Sequence, residues 1–159
     1  MPVRILIADD HEVVRQGVRK ILAARPEWEI CGEATNGQEA IHLAGELRPD
    51  AIIMDITMPV MSGLEAARTL TSNKTSAPIL IFTMHESRSL GESVKDVGAR
   101  GFVFKSRAAR DLIKALETLL KGGTFFNAEG ESTPPEKDAP KGGISFLQAL
   151  DALRIIVLA

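Results

Sequence analysis

Five short apolar runs alternate with five segments of helical hydrophobic spacing, and no other property of the chain constrains its fold as much. The runs are Val3 to Ala8, Trp28 to Ala34, Ala51 to Met54, Pro78 to Phe82 and Gly101 to Phe104. Between and after them, apolar residues recur three or four apart: Val14, Val18, Ile21, Leu22; Ile41, Ala44, Leu47; Leu64, Ala67, Leu70; Leu90, Val94, Val97; and Leu112, Leu116, Leu119. That spacing lines one face of a helix, whereas a short unbroken run suits a strand buried on both faces. Regular alternation requires right-handed crossovers, which produce a mostly parallel sheet with helices on both sides. The expected class is α/β, in three layers. Asn36 with Glu39, and Ser62 with Glu65, each set a capping side chain three residues before a carboxylate that can answer it. Pro49 ends the second helix.

The chain has 159 residues, enough for one domain and a tail. The first 126 residues carry the alternating pattern. Residues 127–143 are rich in Pro, Gly, Glu and Lys and read as a linker. Residues 144–159 form a short apolar tail in which Leu147, Leu150, Leu153 and Val157 keep helical spacing, while Ile155 to Leu158 also fits a strand. A formal net charge of −2 lacks the basic excess that phosphate-backbone binding needs, and Arg154 is the tail's only cation, so no direct DNA binding by this chain is expected. The single cysteine, Cys31, excludes an internal disulfide. With no leader-like segment and no apolar run of membrane-spanning length, a cytoplasmic location is expected and a membrane role is not.

In an open parallel sheet, ligands bind beyond the carboxyl ends of the strands. Here the first strand ends in Asp9 and Asp10, the third in Asp55, the fourth in Thr83 and the fifth in Lys105. Singly, each has an ordinary explanation as a helix cap, a strand residue or a solvated charge. Together they aim polar chemistry at one edge. Converging carboxylates repel unless a cation shares their site. An all-oxygen set without clustered His or Cys suits Mg²⁺, or Mn²⁺, and Lys105 adds a second positive charge. A carboxylate in such surroundings can attack phosphorus and form an aspartyl phosphate.

Ala8-Asp9-Asp10-His11, the stretch from Met54-Asp55 through Pro59 to Ser62-Gly63, Thr83 and Phe104-Lys105-Ser106 resemble a two-component response regulator receiver domain over residues 3–122. The wording of Ile5 to Gly17 and of Thr83-Met84-His85 resembles the NarL/FixJ (LuxR)-like group. The resemblance implies a flavodoxin-like sheet of order 2-1-3-4-5. It implies Asp55 as phosphoacceptor for a sensor histidine kinase or phosphotransfer protein, and Mg²⁺ held by Asp9, Asp10, Asp55 and the Thr57 carbonyl. It also implies Lys105 as a contact to the phosphoryl group, a conformational switch through Thr83 and Phe102, and a homodimer through the fourth helix, fifth strand and fifth helix. Such a protein is a phosphorylated signalling protein and not an enzyme that turns over a substrate.

Other readings are weaker. His11-Glu12 lacks the second histidine of a zinc protease motif, because position 15 is Arg15. No phosphate-binding glycine loop or nucleophile elbow is present. A dehalogenase-type Mg²⁺ phosphatase resembles D-x-D at the nucleophile, and this chain has Thr57 two residues after Asp55. A phosphorylation-independent dimerisation or adaptor module predicts decay of the acidic positions, and all are filled. His85 is read as a solvated loop residue, Cys31 as an inert thiol, Trp28 as packing, and Met54, Met58 and Met61 as core or loop filler.

Overall fold

The computed structural model describes residues 1–126. The linker and tail expected at 127–143 and 144–159 lie outside them. Five strands, β1 (Val3–Ala8), β2 (Trp28–Ala34), β3 (Ala51–Met54), β4 (Ile79–Thr83) and β5 (Gly101–Phe104), alternate with α1 (Glu12–Leu22), α2 (Gly37–Leu47), α3 (Gly63–Ser72), α4 (Leu90–Asp96) and α5 (Ala108–Leu120). The strands are parallel, in the order β2-β1-β3-β4-β5. This is the flavodoxin-like arrangement. Chain order reverses between β1 and β3, which opens a crevice at their carboxyl ends. No helix among the described residues is long and apolar enough to cross a membrane.

Alternate residues of the central strands feed two cores. Ile5, Ile7, Ile53, Leu80, Phe82 and Val103 pack against α1 and α5 through Val14, Val18, Leu112 and Leu116. Leu6, Ala8, Ile52, Met54, Ile79, Ile81 and Phe102 pack against α2, α3 and α4. Every residue of β3 and β4 is buried, the consequence of helices on both faces.

The local signals act with one difference from expectation. Ser62 and Glu65 form the full reciprocal capping box. Asn36 accepts from the Glu39 N–H at 2.8 Å, but the Glu39 carboxylate takes the Thr35 hydroxyl at 3.1 Å instead of closing the box. Arg48 ends α2 in a left-handed conformation ahead of Pro49. The fourth strand starts at Ile79 and includes Thr83, one residue later than the apolar run suggests. Pro78 still contributes its carbonyl, which accepts from the Ile52 N–H at 3.0 Å.

Two irregularities shape the site's surroundings. The register of β1 against β2 shifts between Ile5 and Leu6, which face Ile30 and Gly32, so Cys31 is an extra residue in β2. The resulting bulge carries Glu33 opposite Ile7 and Ala34 opposite Ala8. After α5 the chain returns to the sheet: Phe125 donates to the Arg100 carbonyl and accepts from the Phe102 N–H, both at 2.9 Å.

Candidate functional site

Asp9 and Asp10 follow β1, Asp55 follows β3 and Lys105 follows β5, so the strand order sets the acids side by side with the lysine reaching across from the far strand. The backbone fixes the two inner acids: the Asp9 N–H donates to the Ala34 carbonyl at 3.0 Å and the Asp55 N–H to the Ala8 carbonyl at 2.9 Å. Asp9, Asp55 and Lys105 are all buried, while Asp10 faces outward. Lys105 Nζ lies 2.7 Å from Asp9 Oδ2 and 3.4 Å from Asp55 Oδ2. It is the first residue of a short 3-10 turn, Lys105–Arg107.

Burial pushes the Asp55 carboxyl up to about 6, with Lys105 opposing the rise and the Asp9 charge adding to it. The lysine therefore compensates only partly for two carboxylates held out of water. Asp9 Oδ2 faces the Lys105 ammonium, while Asp9 Oδ1 takes the His11 backbone N–H at 2.9 Å. Ligand atoms from Asp9, Asp10, Asp55 and His11 all lie within 4.8 Å of one another. A cluster dominated by carboxylate oxygens, with two of its acids buried and only one lysine to offset them, fits a hard divalent cation such as Mg²⁺.

His11 is the member to which sequence reasoning gave no role in the site, although it belongs to the Ala8-Asp9-Asp10-His11 stretch. Its Nδ1 lies 3.2 Å from Asp9 Oδ1 and 3.1 Å from Asp10 Oδ1, and its N–H donates to Asp9 Oδ1 at 2.9 Å. The signal was its place directly after the two acids. Thr83 is fully buried at the end of β4, and its Oγ1 accepts from the His85 N–H at 3.1 Å. Thr57 sits on the exposed loop after Asp55, where the Ile56 carbonyl is already taken by the Gly63 N–H. Phe102 is buried, its ring 5.5 Å from that of Phe104 and 6.1 Å from that of Phe126. The structure thus brings Asp9, Asp10, Asp55 and Lys105 into one group, and places Thr83 and Phe102 on the two strands beyond β3.

Cys31 is partly buried in the bulge, and burial raises its thiol above the ordinary value, in keeping with an inert residue. Met54 and Met58 are core residues, and Met61 packs against the same core. Trp28 packs partly buried, with the Arg25 guanidinium 5.8 Å from its ring centre.

A flavodoxin-like sheet with an acidic cluster and a buried lysine at its carboxyl edge defines an α/β protein with a charged site where such sheets bind their ligands. The chain belongs to the response regulator receiver domain family, whose profile matches residues 5–117. It is 35% identical over 125 residues to the transcriptional regulatory protein DegU of Brevibacillus brevis, covering 79% of this chain and 53% of that protein. It is 36% identical over 121 residues to the nitrate/nitrite response regulator protein NarL of Escherichia coli K12, covering 76% and 56%. A crystal structure of a LuxR-family two-component response regulator from Aurantimonas sp. SI85-9A1 superposes with a TM-score of 0.74 at 37% identity, covering 79% of this chain and 89% of that one. The chain spans little more than half the length of these two curated relatives. Receiver domains are phosphoacceptor signalling modules and not enzymes with a turned-over substrate.

Proposed function

We propose that Asp55 accepts a phosphoryl group from a sensor histidine kinase or a phosphotransfer protein, in a Mg²⁺-dependent reaction that switches the conformation of the domain. The observation that carries this reading is the buried Lys105 ammonium set between Asp9 and Asp55. Asp9, Asp10, Asp55 and the Thr57 carbonyl would hold the cation, which supplies charge neutralisation for phosphoryl transfer.

A carboxylate oxygen of Asp55 attacks phosphorus; an O–P bond forms and the P–N bond to the donor histidine breaks. Lys105 neutralises the charge gathering on the phosphoryl oxygens. The Thr83 hydroxyl already accepts from the His85 N–H, which leaves its own O–H free to donate to a phosphoryl oxygen. A hydroxyl drawn toward Asp55 would pull the tethered loop with it. Phe102 is already inside, against Phe104 and Phe126, so its part in switching is a repacking within that aromatic group.

Val13, Val60 and Met84 are exposed apolar residues on the elements that rim the carboxyl edge, which supports docking of a protein donor there. By family resemblance, a homodimer would use α4, β5 and α5. Residues 1–126 form the receiver, 127–143 the linker and 144–159 an apolar tail. The names of the relatives support an output in transcription regulation. The net charge of −2 supports an output through protein contacts and not through direct DNA binding by this chain.

The test is intact mass after incubation with acetyl phosphate, with and without Mg²⁺, for the wild-type protein and Asp55→Asn. An adduct that needs both Mg²⁺ and Asp55 is expected. A folded wild-type protein that takes up no phosphoryl group would instead favour an adaptor module.

A further inference from the structure

We propose that Arg15 is a positioning residue for the cation site, acting through the backbone carbonyl of Asp9 and steered by Glu33; this rests on the reading of Asp9, Asp10 and Asp55 as cation ligands. Arg15 Nη1 donates to the Asp9 carbonyl at 2.8 Å, and its Nε lies 3.3 Å from Glu33 Oε1. The Arg15 side chain is only 14% exposed, so the guanidinium is wedged between α1 and β2. That carbonyl belongs to the peptide joining Asp9 to Asp10. On its other side, the Asp9 N–H is held by Ala34 of β2. With both ends of Asp9 fixed, the peptide plane is fixed, and with it the direction in which the more exposed Asp10 leaves the strand.

The arrangement depends on the β2 bulge. Side chains alternate along a strand, so in an unshifted register, with Cys31 paired to Leu6, Glu33 would fall opposite Ala8 on the other face, away from α1. With the shift, Glu33 shares a face with Ile7, the α1 side, where it meets Arg15 and Arg19. Glu33 also offsets the charge of Arg15, which would otherwise oppose a cation bound close by. A planar guanidinium donates to the carbonyl through Nη1 while its Nε edge faces the carboxylate as an ion pair, an arrangement that an ammonium on a flexible stem does not reproduce.

Arg15→Lys keeps the charge and removes the fork, separating position from electrostatics. Mg²⁺ binding to the full-length chain is measured by calorimetry, together with the rate of acetyl phosphate labelling at saturating Mg²⁺. Groups that orient ligands without touching the metal typically cost about tenfold or more in affinity when lost. Arg15→Lys is therefore expected to weaken Mg²⁺ binding by about tenfold while the saturated labelling rate stays within about twofold, a split that general loss of structure would not produce. Glu33→Gln, which leaves Arg15 in place without its steering partner, is expected to weaken Mg²⁺ in the same direction by a smaller factor, and it decides the matter should Arg15→Lys not fold. Wild-type Mg²⁺ affinity in the folded variants overturns the proposal, as does a lowered saturated rate at unchanged affinity. A wild-type chain that binds no Mg²⁺ overturns the reading of the acidic site and this proposal with it.

Discussion

Lys105 is held closer to Asp9 than to the proposed phosphoacceptor, at 2.7 Å against 3.4 Å from Asp55. The lysine is therefore anchored by an acid that keeps it in place while Asp55 reacts. In the absence of metal it is also the cation that makes two buried carboxylates tolerable. Removing one partner of a buried ion pair costs about 3 kcal/mol or more, because the remaining charges lose their compensation. Lys105→Met is expected to lose about that much stability in Mg²⁺-free buffer near neutral pH. Added Mg²⁺ should restore most of it by supplying the missing positive charge. Chemical denaturation with and without Mg²⁺ reads both quantities; an equal loss under the two conditions would show that these acids do not hold the metal.

Asp55 imposes a pH dependence whose sign follows from its surroundings. The folded carboxyl keeps its proton up to about pH 6, against an ordinary value of 3.8. Between those values the folded state binds more protons than the unfolded one, so Mg²⁺-free stability falls as pH rises through this window. The shift of about two pH units corresponds to about 3 kcal/mol, fully present above pH 6 and absent below about pH 4. Asp55→Asn carries no charge and should be more stable than wild type by about that amount at pH 7.5, the difference closing as pH approaches 4. Urea denaturation across that range checks it, and a pH-independent difference would mean that burial of the charge is not the cause.

The sheet was legible because strands covered on both faces must be apolar almost throughout, and β3 and β4 are. The site was legible because parallel strands end on one edge, so Asp9, Asp55, Thr83 and Lys105 converge whatever their distance in sequence. The bulge at Cys31 was not, since a one-residue slip changes which face Glu33 occupies without altering composition. Arg15 could be read only as the residue that spoils a zinc motif, because its target is a backbone carbonyl that no side-chain pattern marks. The Phe125 pairing with Gly101 depends on where the chain returns after α5, and the diversion of Glu39 to Thr35 on a choice between two neighbouring donors.

Gly63 lies where the β3–α3 connection closes onto Asp55. A Cβ built there would stand 1.7 Å from the Asp55 carbonyl oxygen and 2.7 Å from its carbon. Both are backbone atoms that cannot swing aside, so Gly63→Ala must displace Asp55, the proposed phosphoacceptor. The expected loss is about 2 kcal/mol, as for other overpacked positions, with slower acetyl phosphate labelling. Gly45 in α2 is the control, because a Cβ there meets nothing within 4 Å and Gly45→Ala should stabilise by about 1 kcal/mol. Thermal unfolding and labelling rates of the two variants should move in opposite directions in stability, and only Gly63→Ala should slow labelling.

Val60 is held at φ +69° on the loop after Asp55, a left-handed conformation that a β-branched residue adopts only under strain. The Met61 N–H donates to the Pro59 carbonyl at 2.7 Å across it, the bond of a three-residue turn of the rare positive-φ kind. The side chain is 78% exposed, so no burial offsets the strain. Asn enters this conformation more readily, and Val60→Asn should raise stability by about 1 kcal/mol, or about 4 °C in melting temperature for a domain of this size. A strained, exposed apolar residue on the rim of the site is explained if it contacts the protein that donates the phosphoryl group. Val60→Asn should therefore leave labelling by acetyl phosphate unchanged while slowing transfer from a phosphorylated histidine kinase. A variant that is stabilised yet accepts phosphoryl from both donors at wild-type rates would remove Val60 from the docking surface, and a variant that is not stabilised would show that the turn carries no strain.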